Sequence, residues 1–156
     1  MCVPGQYCPT GSGAAVACDP GSYCRNYVLT AVSGSCAAGY YCPSGSKDEH
    51  PNDLTAYGGI ICPVGSYCAV GSSTFTQCAA GTYLNSIGND DVADCMSCPA
   101  GFFCDTVGLA DYTANTCPPG YFCPLGTSSS TANPCTPGHY CPGGTHDEII
   151  CDAGTF

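Results

Sequence analysis

The chain has 156 residues, 17 of them cysteine, and a formal net charge of −10 against only two basic side chains, Arg25 and Lys47. Leu, Ile, Val and Phe number 23 in all, too few to fill the single core that a globular domain of this length builds. With no basic stripe to displace counterions or meet anionic lipid, nucleic-acid binding and electrostatic membrane attachment are excluded, and no apolar run nears the roughly 20 residues of a membrane-inserting span.

Covalent cross-links must therefore stand in for much of the core. A disulfide closing a loop of ~15 residues contributes ~3 kcal/mol in the chain-entropy description. So many cysteines predict an oxidising compartment, extracellular or at the cell surface. No leader precedes Cys2, and the sequence starts and stops inside a repeat, which predicts a segment that continues into further repeats.

The repeat is Cys-x-x-Gly-x-aromatic, and it opens nine times, at Cys2, Cys18, Cys36, Cys62, Cys78, Cys98, Cys117, Cys135 and Cys151. Residues 1–156 thus form one tandem array with steps of 16 to 26 residues. In the first copy, Val3-Pro4-Gly5 suits a type II turn, where proline presets φ and glycine accepts a positive one. The turn is followed by Tyr7, and the same place is taken by Tyr23, Tyr41, Tyr67, Tyr83, Phe103, Phe122, Tyr140 and Phe156. Each ring is expected to lie across a disulfide or the next repeat and to supply most of that unit's apolar burial. A second cysteine comes next, and connectors such as Cys8-Pro9-Thr10-Gly11-Ser12 and Cys42-Pro43-Ser44-Gly45-Ser46 predict a second turn. Further along, the connector from Ser44 to Ile61 is the longest and the best candidate for a ligand-binding loop. The fifth copy carries Leu84 in place of the second cysteine, and adds Cys95 three residues before Cys98.

No helical periodicity is present, and Gly and Pro total 34 residues. The fold class expected is therefore small disulfide-rich repeats, an elongated array of short β-hairpins and turns with almost no helix. Each unit should contact mainly its neighbours.

Cys78-Ala79-Ala80-Gly81-Thr82-Tyr83 followed by Cys95-Met96-Ser97-Cys98-Pro99-Ala100-Gly101-Phe102 resembles the ephrin-receptor-like cysteine-rich repeat. It is also similar to the cysteine-rich modules of tumour necrosis factor receptors. The resemblance implies that Cys78 pairs with Cys95 across a hairpin, and that the motifs specify a scaffold. For the remaining cysteines three registers stay open. Each Cys-x5-Cys closes on itself, as Cys2–Cys8; or each connector closes, as Cys8–Cys18; or adjacent repeats interlock, as Cys98–Cys117 with Cys104–Cys123. The first and third accommodate Cys78–Cys95, and both leave Cys151 over.

Catalytic, metal and cofactor chemistry have little to stand on. Cys95-x-x-Cys98 lacks the βαβ setting of a redox motif and the second ligand pair of a zinc site. His50, His139 and His146 have no assigned nucleophile beside them. The acids at Asp48-Glu49, Asp90-Asp91 with Asp94, and Asp147-Glu148 lack the spacing of a calcium loop. Two tracts, Ser72-Ser73-Thr74 and Thr127-Ser128-Ser129-Ser130-Thr131, are candidates for O-glycosylation. Nine near-equivalent units without a distinctive site lead to the expectation of a non-enzymatic extracellular structural protein. It would be the self-associating unit of a filament, coat or matrix; the alternative is a stalk or ligand-binding segment of a surface receptor or adhesin.

Overall fold

The computed structural model describes residues 1–50, 60–152 and Gly154. Its regular structure is twelve strands of two residues: β1 (Gln6–Tyr7), β2 (Val16–Ala17), β3 (Ser22–Tyr23), β4 (Gly34–Ser35), β5 (Tyr40–Tyr41), β6 (Ile60–Ile61), β7 (Ser66–Tyr67), β8 (Thr76–Gln77), β9 (Thr82–Tyr83), β10 (Met96–Ser97), β11 (His139–Tyr140) and β12 (Ile149–Ile150). Consecutive strands pair into six two-stranded sheets. A 3-10 turn at Val92–Asp94 is the helical content among the described residues. The fold is that of small disulfide-rich β-hairpin repeats.

Every hairpin is built the same way. The strand carrying the repeat aromatic pairs with the two residues that precede the next repeat's first cysteine. Gln6 thus faces Ala17, Ser22 faces Ser35, Thr82 faces Ser97 and His139 faces Ile150. Repeats six and seven reduce the pairing to single bridges, Phe102 with Thr116 and Tyr121 with Pro134. Pro134 has no N–H to extend a ladder. The turn before each first strand is the expected one: Gln6 N–H donates to Val3 O at 3.0 Å across Pro4 and Gly5, whose φ is +90°.

The cysteines choose the short register. Cys2–Cys8, Cys18–Cys24, Cys36–Cys42, Cys62–Cys68, Cys98–Cys104, Cys117–Cys123 and Cys135–Cys141 each close across six residues, with Cα–Cα distances of 5.7–6.0 Å. Cys78 instead reaches Cys95, with Cα atoms 5.7 Å apart, and Cys151 is without a disulfide partner. All of these Cα separations suit an ordinary disulfide. The eight bonds put the chain in a non-reducing environment.

Successive repeats are joined by backbone hydrogen bonds rather than by sulfur. Between the second and third repeats, Cys36 N–H donates to Gly21 O (2.8 Å) and Gly21 N–H to Cys42 O (2.8 Å). Cys24 N–H donates to Ser46 O (2.9 Å), and Gly45 N–H returns to Cys18 O (2.8 Å). The same four bonds recur at equivalent positions between repeats one and two, three and four, five and six, six and seven, and seven and eight. Each repeat thereby satisfies main-chain groups that a unit this small could not pair internally.

By contact the chain divides into two compact units. The first is Met1–Thr76 with Ser86–Asp94, and the second is Gln77–Asn85 with Cys95–Phe156. Within each unit, repeats also touch their second neighbours, a contact beyond the nearest-neighbour stacking expected of such an array. The Cα of Gly5 in repeat one lies so close to repeat three that a Cβ there would sit 2.6 Å from Gly45 O. In the second unit the same approach brings Gly101 against Gly144 of repeat eight. Glycine is required at these positions both by φ and by space.

Cysteine fills the interior. The buried apolar side chains are cysteines and Leu84, which is 2% exposed. Leu84 stands where other repeats put the second cysteine, so an aliphatic side chain fills the space left when Cys78 turns to Cys95. The repeat aromatics do not form the core: Tyr7, Tyr23, Tyr41, Tyr67, Tyr83, Phe103 and Phe122 are half-buried, and Tyr140 is 52% exposed. Packed sulfur already occupies the centre of each unit, leaving the rings at its rim. Phe156 and residues 51–59 of the long connector lie outside the described residues.

Candidate functional site

The rim rings lean toward the following repeat. Tyr7 Oη donates to Asp19 Oδ2 at 3.3 Å, Tyr41 meets Phe75 edge-on at 5.8 Å between centroids, and Tyr83 meets Tyr112 at 4.6 Å. The sequence places a ring at each of these positions but does not name its partner, and Phe75 and Tyr112 come from connectors of variable length.

The serines and threonines after the second-turn glycine have a structural task. Ser46 Oγ donates to Pro43 O (2.7 Å), Ser72 Oγ to Ala69 O (2.7 Å) and Thr127 Oγ1 to Pro124 O (2.6 Å). Each hydroxyl clips its own turn shut. Thr127 is only 6% exposed, so it is no acceptor for a glycan, and the Ser72 hydroxyl is already engaged. Ser73, Thr74, Ser128 and Thr131 are the exposed members of the two tracts, with Ser129 and Ser130 half-buried.

The metal and redox candidates resolve into structural roles. Cys95 and Cys98 bond to different partners, Cys78 and Cys104, so they are not a dithiol pair. Cys135, Cys141 and Glu148 lie close enough together to suggest ligands, but the two sulfurs are bonded to each other. Glu148 is occupied by the Thr136 N–H and hydroxyl, at 2.6 and 3.0 Å. Asp94 Oδ2 accepts the N–H groups of Asp90 (3.2 Å) and Asp91 (3.1 Å), the arrangement of a turn cap. His50 stacks edge-on against Tyr40 at 5.3 Å, and His139 Nδ1 lies 3.1 Å from the Thr136 hydroxyl.

Two further arrangements were not legible from sequence. In the first unit, Arg25 forms a clasp between repeats two and three. Its Nη2 donates to Asp48 Oδ1 (2.9 Å) and Glu49 Oε1 (3.3 Å), while its guanidinium carbon stands 5.4 Å from the centroid of the Tyr23 ring. Tyr23 Oη also donates to Glu49 Oε2 at 3.2 Å. Burial works to raise the Asp48 pKa, but the His50 N–H and Arg25 outweigh it and hold the carboxyl below its ordinary value. Burial, then the bond to Glu49, raises the Tyr23 hydroxyl.

In the second unit a cleft of about 460 Å³ opens between Tyr83 and Asn85 on one side and the stretch Ala110, Asp111, Tyr112 and Thr113 on the other. Tyr112 is wedged edge-on between Tyr83 (4.6 Å) and Phe102 (5.0 Å). Asp111 Oδ1 accepts the Thr113 N–H at 2.9 Å, and this bond, with the Thr113 hydroxyl, lowers the carboxyl's pKa. Two tyrosines, a carboxylate residue and an amide residue thus line the cleft.

No protein-family model and no curated protein matches this chain.

Proposed function

We propose that this chain is an extracellular structural repeat protein, a building unit of a filament, coat or matrix, and not an enzyme. The observation that carries the reading is the recurrence of one four-bond backbone interface at six junctions between successive repeats. Its two sides are different: one repeat presents its turn glycine and its two cysteine positions, and the next presents its first-cysteine N–H, its second-cysteine carbonyl, a connector glycine N–H and a connector carbonyl. A heterologous contact of this kind propagates head to tail into a filament when it does not close into a ring. Disulfides inside each repeat hold the bonding groups in place. The same bonds support a place outside the cell, and the resemblance to ephrin-receptor-like repeats agrees with a scaffold. Exposed Ser73, Thr74, Ser128 and Thr131 are the positions where this reading puts glycans.

Electron microscopy and light scattering of the oxidised protein, before and after a thiol reductant, test the proposal. Assemblies that dissolve or become protease-sensitive on reduction support it, and a monomer with no concentration-dependent association refutes it. The second reading, a stalk or ligand-binding segment of a receptor or adhesin, is favoured by one observation, the Tyr83–Tyr112 cleft.

A further inference from the structure

The hydrogen bonds between repeats define an alignment that sequence spacing conceals. Cys24 N–H donates to Ser46 O, and Leu84 N–H donates to Leu109 O. Gly45 N–H donates to Cys18 O, and Gly108 N–H donates to Cys78 O. Ser46 is therefore equivalent to Leu109, although the latter's connector is one residue longer at that point. Counting on from these pairs, Asp48 corresponds to Asp111, Glu49 to Tyr112 and His50 to Thr113. On the facing repeat, Tyr23 corresponds to Tyr83, and Arg25 to Asn85.

The correspondence extends to atoms. Asp48 Oδ1 accepts the His50 N–H at 3.1 Å, just as Asp111 Oδ1 accepts the Thr113 N–H at 2.9 Å. Tyr23 reaches Glu49 in one clasp, and Tyr83 reaches Tyr112 in the other. The difference lies at the centre. In the first unit a guanidinium sits over the tyrosine and binds the carboxylates. In the second the shorter, neutral Asn85 takes the place of arginine, and the cleft is lined by the residues that correspond to those of the clasp. The unit contains no lysine or arginine to offer Asp111 in its stead.

We infer that the Tyr83–Asn85–Asp111–Tyr112 cleft is a receptor for the guanidinium of an arginine side chain presented by a partner polypeptide. The Asp111 carboxylate supplies the charge-assisted acceptor. Tyr83 and Tyr112 supply aromatic rings in the lining, the second where the first unit has Glu49. The chain's net charge of −10 draws a cationic partner toward it. A planar, forked cation suits this geometry better than the point charge of lysine.

The inference goes beyond the structural role and is tested separately, on intact oxidised protein by NMR of the tyrosine rings. The probe is Nα-acetyl-arginine amide, and the control is the citrulline amide of the same shape without charge. The arginine probe is expected to shift the Tyr83 and Tyr112 resonances saturably, and the citrulline probe is not. Asp111→Asn keeps the oxygen that accepts the Thr113 N–H but loses the charge, and should weaken binding about tenfold. Asn85→Arg should fill the cleft from within, abolishing the probe's effect and shifting the Tyr83 ring without any probe. Protection of the Leu84 and Gly108 amides in both variants shows that the repeat interface is intact. Equal shifts from citrulline, a stronger response to a methyl glycoside, or binding indifferent to both variants would overturn the inference.

Discussion

Replacing Gly101 and Gly120 by alanine separates the two demands made on the turn glycine. Both have φ of +86°, so each alanine incurs about 1–2 kcal/mol for a left-handed backbone. At Gly120 that is the whole effect, because an added Cβ meets no atom within 4 Å. At Gly101 the Cβ would stand 2.5 Å from Gly144 O, and a backbone carbonyl two repeats away cannot rotate aside as a side chain would. Forcing such an overlap adds about 1–3 kcal/mol, for a total of about 2–5 kcal/mol. A repeat array opens locally, so the assay is amide hydrogen exchange rather than global unfolding. The reporters are Cys117 N–H, which donates to Gly101 O at 2.9 Å, and Cys135 N–H, which donates to Gly120 O at 2.9 Å. The loss of opening free energy at Cys117 in Gly101→Ala should exceed the loss at Cys135 in Gly120→Ala. Equal losses, or the larger one at Gly120, would refute contact between second-neighbour repeats.

Leu84→Ala empties the place that Leu84 fills in a row of buried cysteines and should lower the opening free energy of repeat five by about 2–4 kcal/mol, read at the Cys98 amide; no change would show that Leu84 is not core. Val28, 68% exposed with φ of +58°, occupies the place held by glycine in other second turns, and its N–H donates to Cys2 O at 3.2 Å. Val28→Gly relieves a strained β-branched residue and should stabilise that turn by up to about 1 kcal/mol after the entropy of glycine is subtracted, measured by exchange at Cys8. The Asp48 carboxyl titrates below its ordinary value of 3.8. The clasp's contribution is therefore complete above the unfolded-state value and disappears as pH falls through the folded one. Carboxyl NMR should place the midpoint below 3.8 and move it upward in Arg25→Gln; an unmoved midpoint would remove Arg25 from the account.

Local chemistry was readable along the chain because the residues concerned act within a few positions of one another. Pro4-Gly5 specifies a turn, Gly11 and Gly45 a second one, and the density of cysteine a non-reducing environment and a hairpin scaffold. The choice among the disulfide registers was not readable, since the self-closing and the interlocked one both accommodate Cys78–Cys95. It was decided by the first turn, which folds Cys2 back to within 6.0 Å of Cys8. The burial of Leu84 and the φ of Val28 likewise depend on neighbouring repeats that impose a slot or a hydrogen bond on whichever residue arrives there. The aromatic rings were expected across a disulfide or the next repeat; Tyr7, Tyr41 and Tyr83 do reach the following repeat, while the fully buried positions go to cysteines and Leu84. The Asp111 cleft lay hidden for a related reason. Its match to the Arg25 clasp exists in the register of backbone bonds between repeats, and connectors that differ by one residue erase that register from the linear sequence.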